Sequence, residues 1–136
     1  MILVDTNILL DVVTRDPAWA EWSKRQLDAA VLRDRLAINP VVYAELSAGF
    51  TTIEQVEEVL GLVDITVVQM SHPALFMAGR VFQEYRRRGG SRTGVLPDFF
   101  IGAHAAVLGA PLITRDASRY LSYFPTVELI APEPAK

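Results

Sequence analysis

Cysteine is absent from the chain. Its absence excludes disulfides, thiolate zinc sites and thiol nucleophiles together, so any metal has to be held by oxygen or by the two histidines, and the composition suits a reducing cytosol. Long apolar runs are missing as well. None approaches the roughly 18 residues of a membrane-spanning helix. Met1 leads through three aliphatic residues straight to Asp5, which is not the form of a secretory leader. A strong charge imbalance is also lacking: the net charge of −3 argues against a surface that is basic all over, but leaves room for a local basic patch. What the chain does have is apolar content, 51% of 136 residues, enough for the core of one domain over residues 1–136.

Ile2-Leu3-Val4 is a short apolar run ending in Asp-Thr-Asn, the pattern of a strand buried on both faces that delivers polar groups at its C-terminal end. A short helix is expected over Asn7 to Val13. Asp16-Pro17 has the form of a cap and first helical position for a helix over roughly 17–33. Leu36-Ala37-Ile38 repeats the strand pattern, and Asn39-Pro40 repeats the helix start before Tyr43, Glu45 and Leu46. Thr51 with Glu54 fits a capping box for a helix to about Leu62, and Asp64 to Met70 reads as a third strand. Ser71-His72-Pro73 opens a helix with Leu75, Ala78, Phe82 and Tyr85 on one face, ended by Gly89-Gly90. Pro97-Asp98 starts another helix, closed by Gly109. Leu112-Ile113-Thr114 and Val127 to Ile130 complete five strands. No internal repeat or linker interrupts the series. Strands and helices alternating at this length imply a mostly parallel sheet covered by helices, with ligands outside the C-terminal strand ends.

Four acids fall where that rule points. Asp5 follows strand one, Glu45 lies two turns into the helix after strand two, Asp98 opens a helix, and Asp116 follows strand four. Carboxylates favour helix starts and loops in any protein. Glu45, however, stands among Val41, Val42, Ala44 and Leu46, and apolar settings rarely hold a carboxylate without partners. Hard divalent cations offset such a cluster through oxygen ligands, and an acidic metal site of this kind suits phosphodiester hydrolysis. Asp5, Asp98 and Asp116 are then candidate ligands, with Glu45 binding directly or through water. Thr6, Asn7 and Thr114 are candidates to orient carboxylates or a scissile phosphate.

Four stretches, in order and covering nearly the whole chain, resemble the PIN-domain family, and within it the VapC toxins of toxin–antitoxin pairs. They are Ile2-Leu3-Val4-Asp5-Thr6-Asn7-Ile8-Leu9-Leu10, then Tyr43-Ala44-Glu45-Leu46 with Gly49, then Leu96-Pro97-Asp98 with Ile101, and Leu112-Ile113-Thr114-Arg115-Asp116 with Tyr120. The resemblance implies a three-layer α/β/α fold with a central sheet of about five strands. It also implies a Mg2+ site that accepts Mn2+, endoribonuclease action on RNA, dimerisation, and inhibition by a cognate antitoxin. Asp5, Glu45, Asp98 and Asp116 match the family's acidic quartet, and Thr114 matches its hydroxyl near the last acid. The segment between Arg86 and Leu96 is where the family varies, so the RNA target is left open.

Arg86, Arg87, Arg88 and Arg92 are candidate contacts to RNA phosphates, as is Arg115, although basic residues at a helix end also answer the macrodipole. His104 falls six residues after Asp98, about 240° around the helix, and is expected to be structural; His72 is expected to be a local cap. Trp19, Trp22, Phe76, Phe82 and Tyr85 have the spacing of core or dimer packing rather than of a base-stacking platform. Two other functions compete. A magnesium-dependent phosphatase or phosphotransfer domain also uses an aspartate after strand one, but position 7 is Asn and the only lysines are Lys24 and Lys136. A catalytically inactive PIN fold acting as a binding module is the other.

Overall fold

Residues 1–92 and 94–133 are described by a computed structural model of the chain. Its central element is the short apolar run at the start of the sequence. Ile2–Val4 (β1) is fully buried, and Asp5 ends it by capping the helix Thr6–Val13 (α1) with its own side chain. The chain continues through Ala20–Arg33 (α2), Leu36–Ile38 (β2), Pro40–Ser47 (α3), Ile53–Leu62 (α4) and Ile65–Val67 (β3). It then forms His72–Arg87 (α5), Leu96–Leu108 (α6), Leu112–Ile113 (β4), Ser118–Tyr123 (α7) and Leu129–Ile130 (β5).

The five strands pair in the order β3-β2-β1-β4-β5, all parallel. From β1 the chain first moves outward through β2 to β3, then returns to the other side of β1 as β4 and moves outward again to β5. Right-handed crossovers therefore send α1 to α4 to one face of the sheet and α5 to α7 to the other. Most packing pairs follow this division, α1 meeting α2 and α3 and α6 meeting α5 and α7, while α3 and α6 also touch across it. The topological switch lies between β1 and β4, so Asp5 and the Thr114–Asp116 segment emerge side by side. Asp5 N donates to Ile113 O at 2.9 Å, which stitches the two strand ends together. Among the described residues no helix is long and apolar enough to cross a membrane.

Several local signals act as the sequence suggests. Asn39 accepts from Val42 N ahead of Pro40, and Gly109 closes α6 with φ +65°. Others are displaced for identifiable reasons. Asp16 does accept from Ala18 N and Trp19 N, but it closes a turn, and α2 begins only at Ala20. The capping box is formed by Thr52 with Gln55, one residue beyond the expected Thr51 and Glu54, because the Gln55 amide oxygen reaches back to both Thr51 N and Thr52 N. Ser71, not His72, caps α5. The buried stripe of that helix runs through Ala74 and Ala78 to Phe82 and Tyr85, leaving Leu75 41% exposed at its rim. The third strand keeps only Ile65–Val67 of the expected Asp64 to Met70.

Helix α7 is not anticipated by the sequence reading. It has six residues, and its cap position, Ala117, has no side-chain hydrogen bond to offer. Its place is set by packing: Phe124, directly after it, lies against Gly102 of α6, where an added Cβ would stand 2.3 Å from the ring. Gly102→Ala should therefore destabilise the fold by about 1–3 kcal/mol through overpacking. Gly79 of α5 has open space around it, and Gly79→Ala should instead stabilise by roughly 0.5–1 kcal/mol. Urea unfolding of the two variants beside the parent protein checks the opposite signs.

Candidate metal centre

Asp5 is 4% exposed, and the protein itself solvates it. One carboxylate oxygen accepts from Thr6 N at 2.7 Å. The other accepts from the Thr114 hydroxyl at 2.8 Å, the Tyr120 hydroxyl at 3.0 Å and the Asn7 amide at 3.4 Å. These donors come from α1, from the residue after β4 and from α7. Even so, burial pushes the Asp5 carboxyl up to about 6; the donors oppose the shift and the nearby charge of Asp98 adds to it.

Glu45 projects from α3 toward α1, where the Thr6 hydroxyl donates to it at 2.7 Å. Thr6 thus holds two acids, Asp5 by its backbone and Glu45 by its side chain. Asp98 stands in the first turn of α6, where the helix N-terminus favours a negative charge. Its Oδ2 pairs with the Arg119 guanidinium, and the Tyr120 hydroxyl lies 3.5 Å from its Oδ1. Burial raises the Asp98 carboxyl above its ordinary value, and the charge of Arg119 opposes that. Asp116 is exposed. Its backbone N–H donates to the Thr114 hydroxyl at 3.1 Å, and its carboxylate accepts from Ser118 at 3.2 Å.

Asp5, Thr6, Asn7, Leu10, Glu45 and Asp98 line one open pocket of about 290 Å³. Three of the four acids picked out in the sequence therefore share a cavity, with Asp116 outside its lining and close enough for its charge to act on Asp98. Among the described residues no three acidic or imidazole side chains are already drawn together as a set that could chelate one ion. Asp98 turns toward Arg119 instead. The donor set still fits a hard divalent cation, because the pocket offers carboxylate, hydroxyl and amide oxygens and neither sulfur nor imidazole.

The three orienting candidates, Thr6, Asn7 and Thr114, all reach Asp5. The five arginines do not line the pocket. Arg87 and Arg88 pair with Glu84 on the exposed end of α5, Arg86 lies over the Phe82 ring, and Arg92 N donates to the Tyr85 hydroxyl. Arg115 is committed elsewhere: its guanidinium makes two 2.8 Å bonds to buried Asp11 and covers the Trp19 ring. His104 is buried outside the pocket, and His72 is exposed in the first turn of α5. Phe82 and Tyr85 pack against the core as expected, whereas Phe76 is 71% exposed. Sequence reasoning missed Arg119 and the role of Tyr120, both on α7. The available signal was their spacing three and four residues after Asp116, which becomes informative only once a helix is known to run there.

The PIN domain family profile matches residues 2–121, and the chain belongs to that family. No curated protein matches it significantly. Among solved structures it is similar to a chain of VapBC2 from Rickettsia felis bound to a DNA fragment from their promoter. The TM-score is 0.74 and the identity 23%, over 98% of this chain and 100% of that one. It is also similar to a chain of a toxin–antitoxin complex from Klebsiella pneumoniae, with TM-score 0.68 and identity 24%, over 93% and 95%. VapBC-5 from Mycobacterium tuberculosis, of the VapBC family of toxin–antitoxin systems, gives TM-score 0.62 and identity 26%, over 96% and 98%.

A buried carboxyl with a raised pKa binds its proton more tightly in the native than in the unfolded chain. Its contribution to stability is thus fully present below about pH 4 and is lost as pH rises through about 6, a difference of about 3 kcal/mol. An amide cannot accept at both positions, so Asp5→Asn carries a fixed cost of its own, but the metal-free parent should lose stability relative to metal-free Asp5→Asn as pH rises from about 4 to about 7.5. Thermal unfolding in EDTA across that range measures it, and a difference between the two proteins that does not change with pH contradicts the assignment.

Proposed function

We propose that the chain, as one domain over residues 1–136, is a metal-dependent endoribonuclease and the toxin of a type II toxin–antitoxin pair. The observation that carries this reading is the convergence of Asp5, Glu45 and Asp98 on one pocket at the switch point of a parallel sheet. Membership of the PIN family and likeness to chains of VapBC and other toxin–antitoxin complexes support it. Asp5, Glu45, Asp98 and Asp116 would hold the cation, Mg2+ with Mn2+ as substitute. When bound, it supplies Lewis acidity toward a phosphodiester and activates water for attack.

The chain's own residues do the positioning. Four donors keep the Asp5 carboxylate from rotating, and Oδ1, which accepts from Thr6 N, is the oxygen with a lone pair to spare for a cation. The Thr6 hydroxyl aims Glu45 across the same space, and the Thr114 hydroxyl links Asp5 to the backbone of Asp116. Arg86, Arg87, Arg88 and Arg92 form a basic end of α5 and its following loop that suits an RNA backbone outside the pocket. A cognate antitoxin, a second copy of the chain in a homodimer, and a cytoplasmic setting belong to this reading.

The test is cutting of total cellular RNA by purified protein in Mg2+, Mn2+ or EDTA. Cleavage should require the cation. Loss of a group that merely orients a ligand commonly costs tenfold to a hundredfold, so Asp5→Asn and Asp98→Asn should each lower activity by roughly a hundredfold or more. Undiminished cutting by both variants, free of contaminating nuclease, sinks the assignment.

A further inference from the structure

Two arginines flank the last acid, and the structure treats them differently. Arg115 is fixed by a bidentate bond to Asp11, which is 2% exposed, and by the Trp19 ring. Arg119 has one ionic partner among the described residues, Asp98, in a pair whose side chains are 25% and 27% exposed. Its neighbour Tyr120 is 1% exposed and donates to Asp5, so α7 is anchored to the acid site without help from Arg119. The guanidinium can therefore leave Asp98 without loosening the helix that carries it.

A cation held at this pocket and the Arg119 guanidinium compete for the same carboxylate. Both are positive, and Asp98 cannot offer its full charge to each. Once displaced, the guanidinium would be a tethered cation at the mouth of an acidic pocket, and the fork of an arginine matches two oxygens of a phosphate. We propose that Arg119 is a substrate-binding residue with two positions: on Asp98 in the metal-free protein, and on an RNA phosphate once a divalent cation has taken Asp98. This rests on the ribonuclease reading above. Metal binding then prepares the protein for its substrate, since the ion that occupies the acids also frees the group that grips the RNA.

Two measurements on the whole chain test it. In calorimetric titration of Mn2+ into metal-free, RNA-free protein, Arg119→Gln should bind the ion roughly fivefold tighter or more, because a competing internal cation is gone. Arg119→Lys, which keeps a charge there, should fall between. Equal or weaker binding by Arg119→Gln, with the variant folded by thermal unfolding, overturns the exchange at Asp98. In RNA cleavage at saturating metal, loss of one charged contact should raise KM roughly tenfold while kcat changes much less. An unchanged KM overturns the phosphate position. A parent protein that binds Mn2+ but cuts no RNA fails the ribonuclease reading and the phosphate position with it, while tighter Mn2+ binding by Arg119→Gln would still establish the exchange.

Discussion

A carboxylate at the C-terminal end of the central strand, almost wholly withdrawn from water, has to be solvated largely by the protein, and the Asp5 carboxylate draws donors from several elements of this fold to that task. Its donors are the first backbone N–H of α1, the amide of Asn7, the hydroxyl just past β4 and the phenol of α7. Residues 109 and 115 positions away in sequence meet on one oxygen. Parallel pairing of β1 with β4 is what makes that possible, since only neighbouring strands that run in the same direction release their C-terminal residues at one edge. The sheet order and the hydration of Asp5 are thus two aspects of one constraint.

The same constraint sets the electrostatics. Four donors are enough to hold the carboxylate in one orientation but not to offset its burial beside Asp98, which is why its proton affinity rises rather than falls. A site built this way is under-compensated without a cation. Asp98 shows the same deficit and meets it by turning to Arg119. Orientation is supplied by neutral groups and charge is left short, so the carboxylates are held in place without being neutralised.

What could be read in the sequence follows the range of the interactions involved. The strands at Ile2–Val4 and Leu36–Ile38, the Asn39 cap and the Gly109 terminator are local features, governed by burial pattern and backbone chemistry within a few residues. Asp5, Asp98 and Asp116 were legible because each sits near the end of such an element, and Glu45 because apolar residues surround it in the sequence. A capping box misplaced by one residue shows the limit of that method: Thr51 and Thr52 are chemically alike, and only the reach of the Gln55 side chain separates them. Helix α7 was out of reach for a stronger reason. Six residues without a side-chain cap carry little local signal, and the helix is held by Phe124 against Gly102 and by Tyr120 against Asp5, contacts that no spacing reveals.

The arginines make the same point about charge. Arg115 directly precedes the last acid and so presents itself as a group for phosphate binding, yet its guanidinium turns back to Asp11, a buried carboxylate on α1 that also accepts from Ser23 of α2. Leaving that acid unpaired in the interior would be costly, so the demand of Asp11 outweighs whatever the pocket offers Arg115. Arg119, four residues on, pairs with Asp98, whose side chain is still 27% exposed beside the open pocket. Burial of the carboxylate thus separates the two arginines, fixing one as a clamp between α1, α2 and the β4 edge and leaving the other on an acid that solvent still reaches.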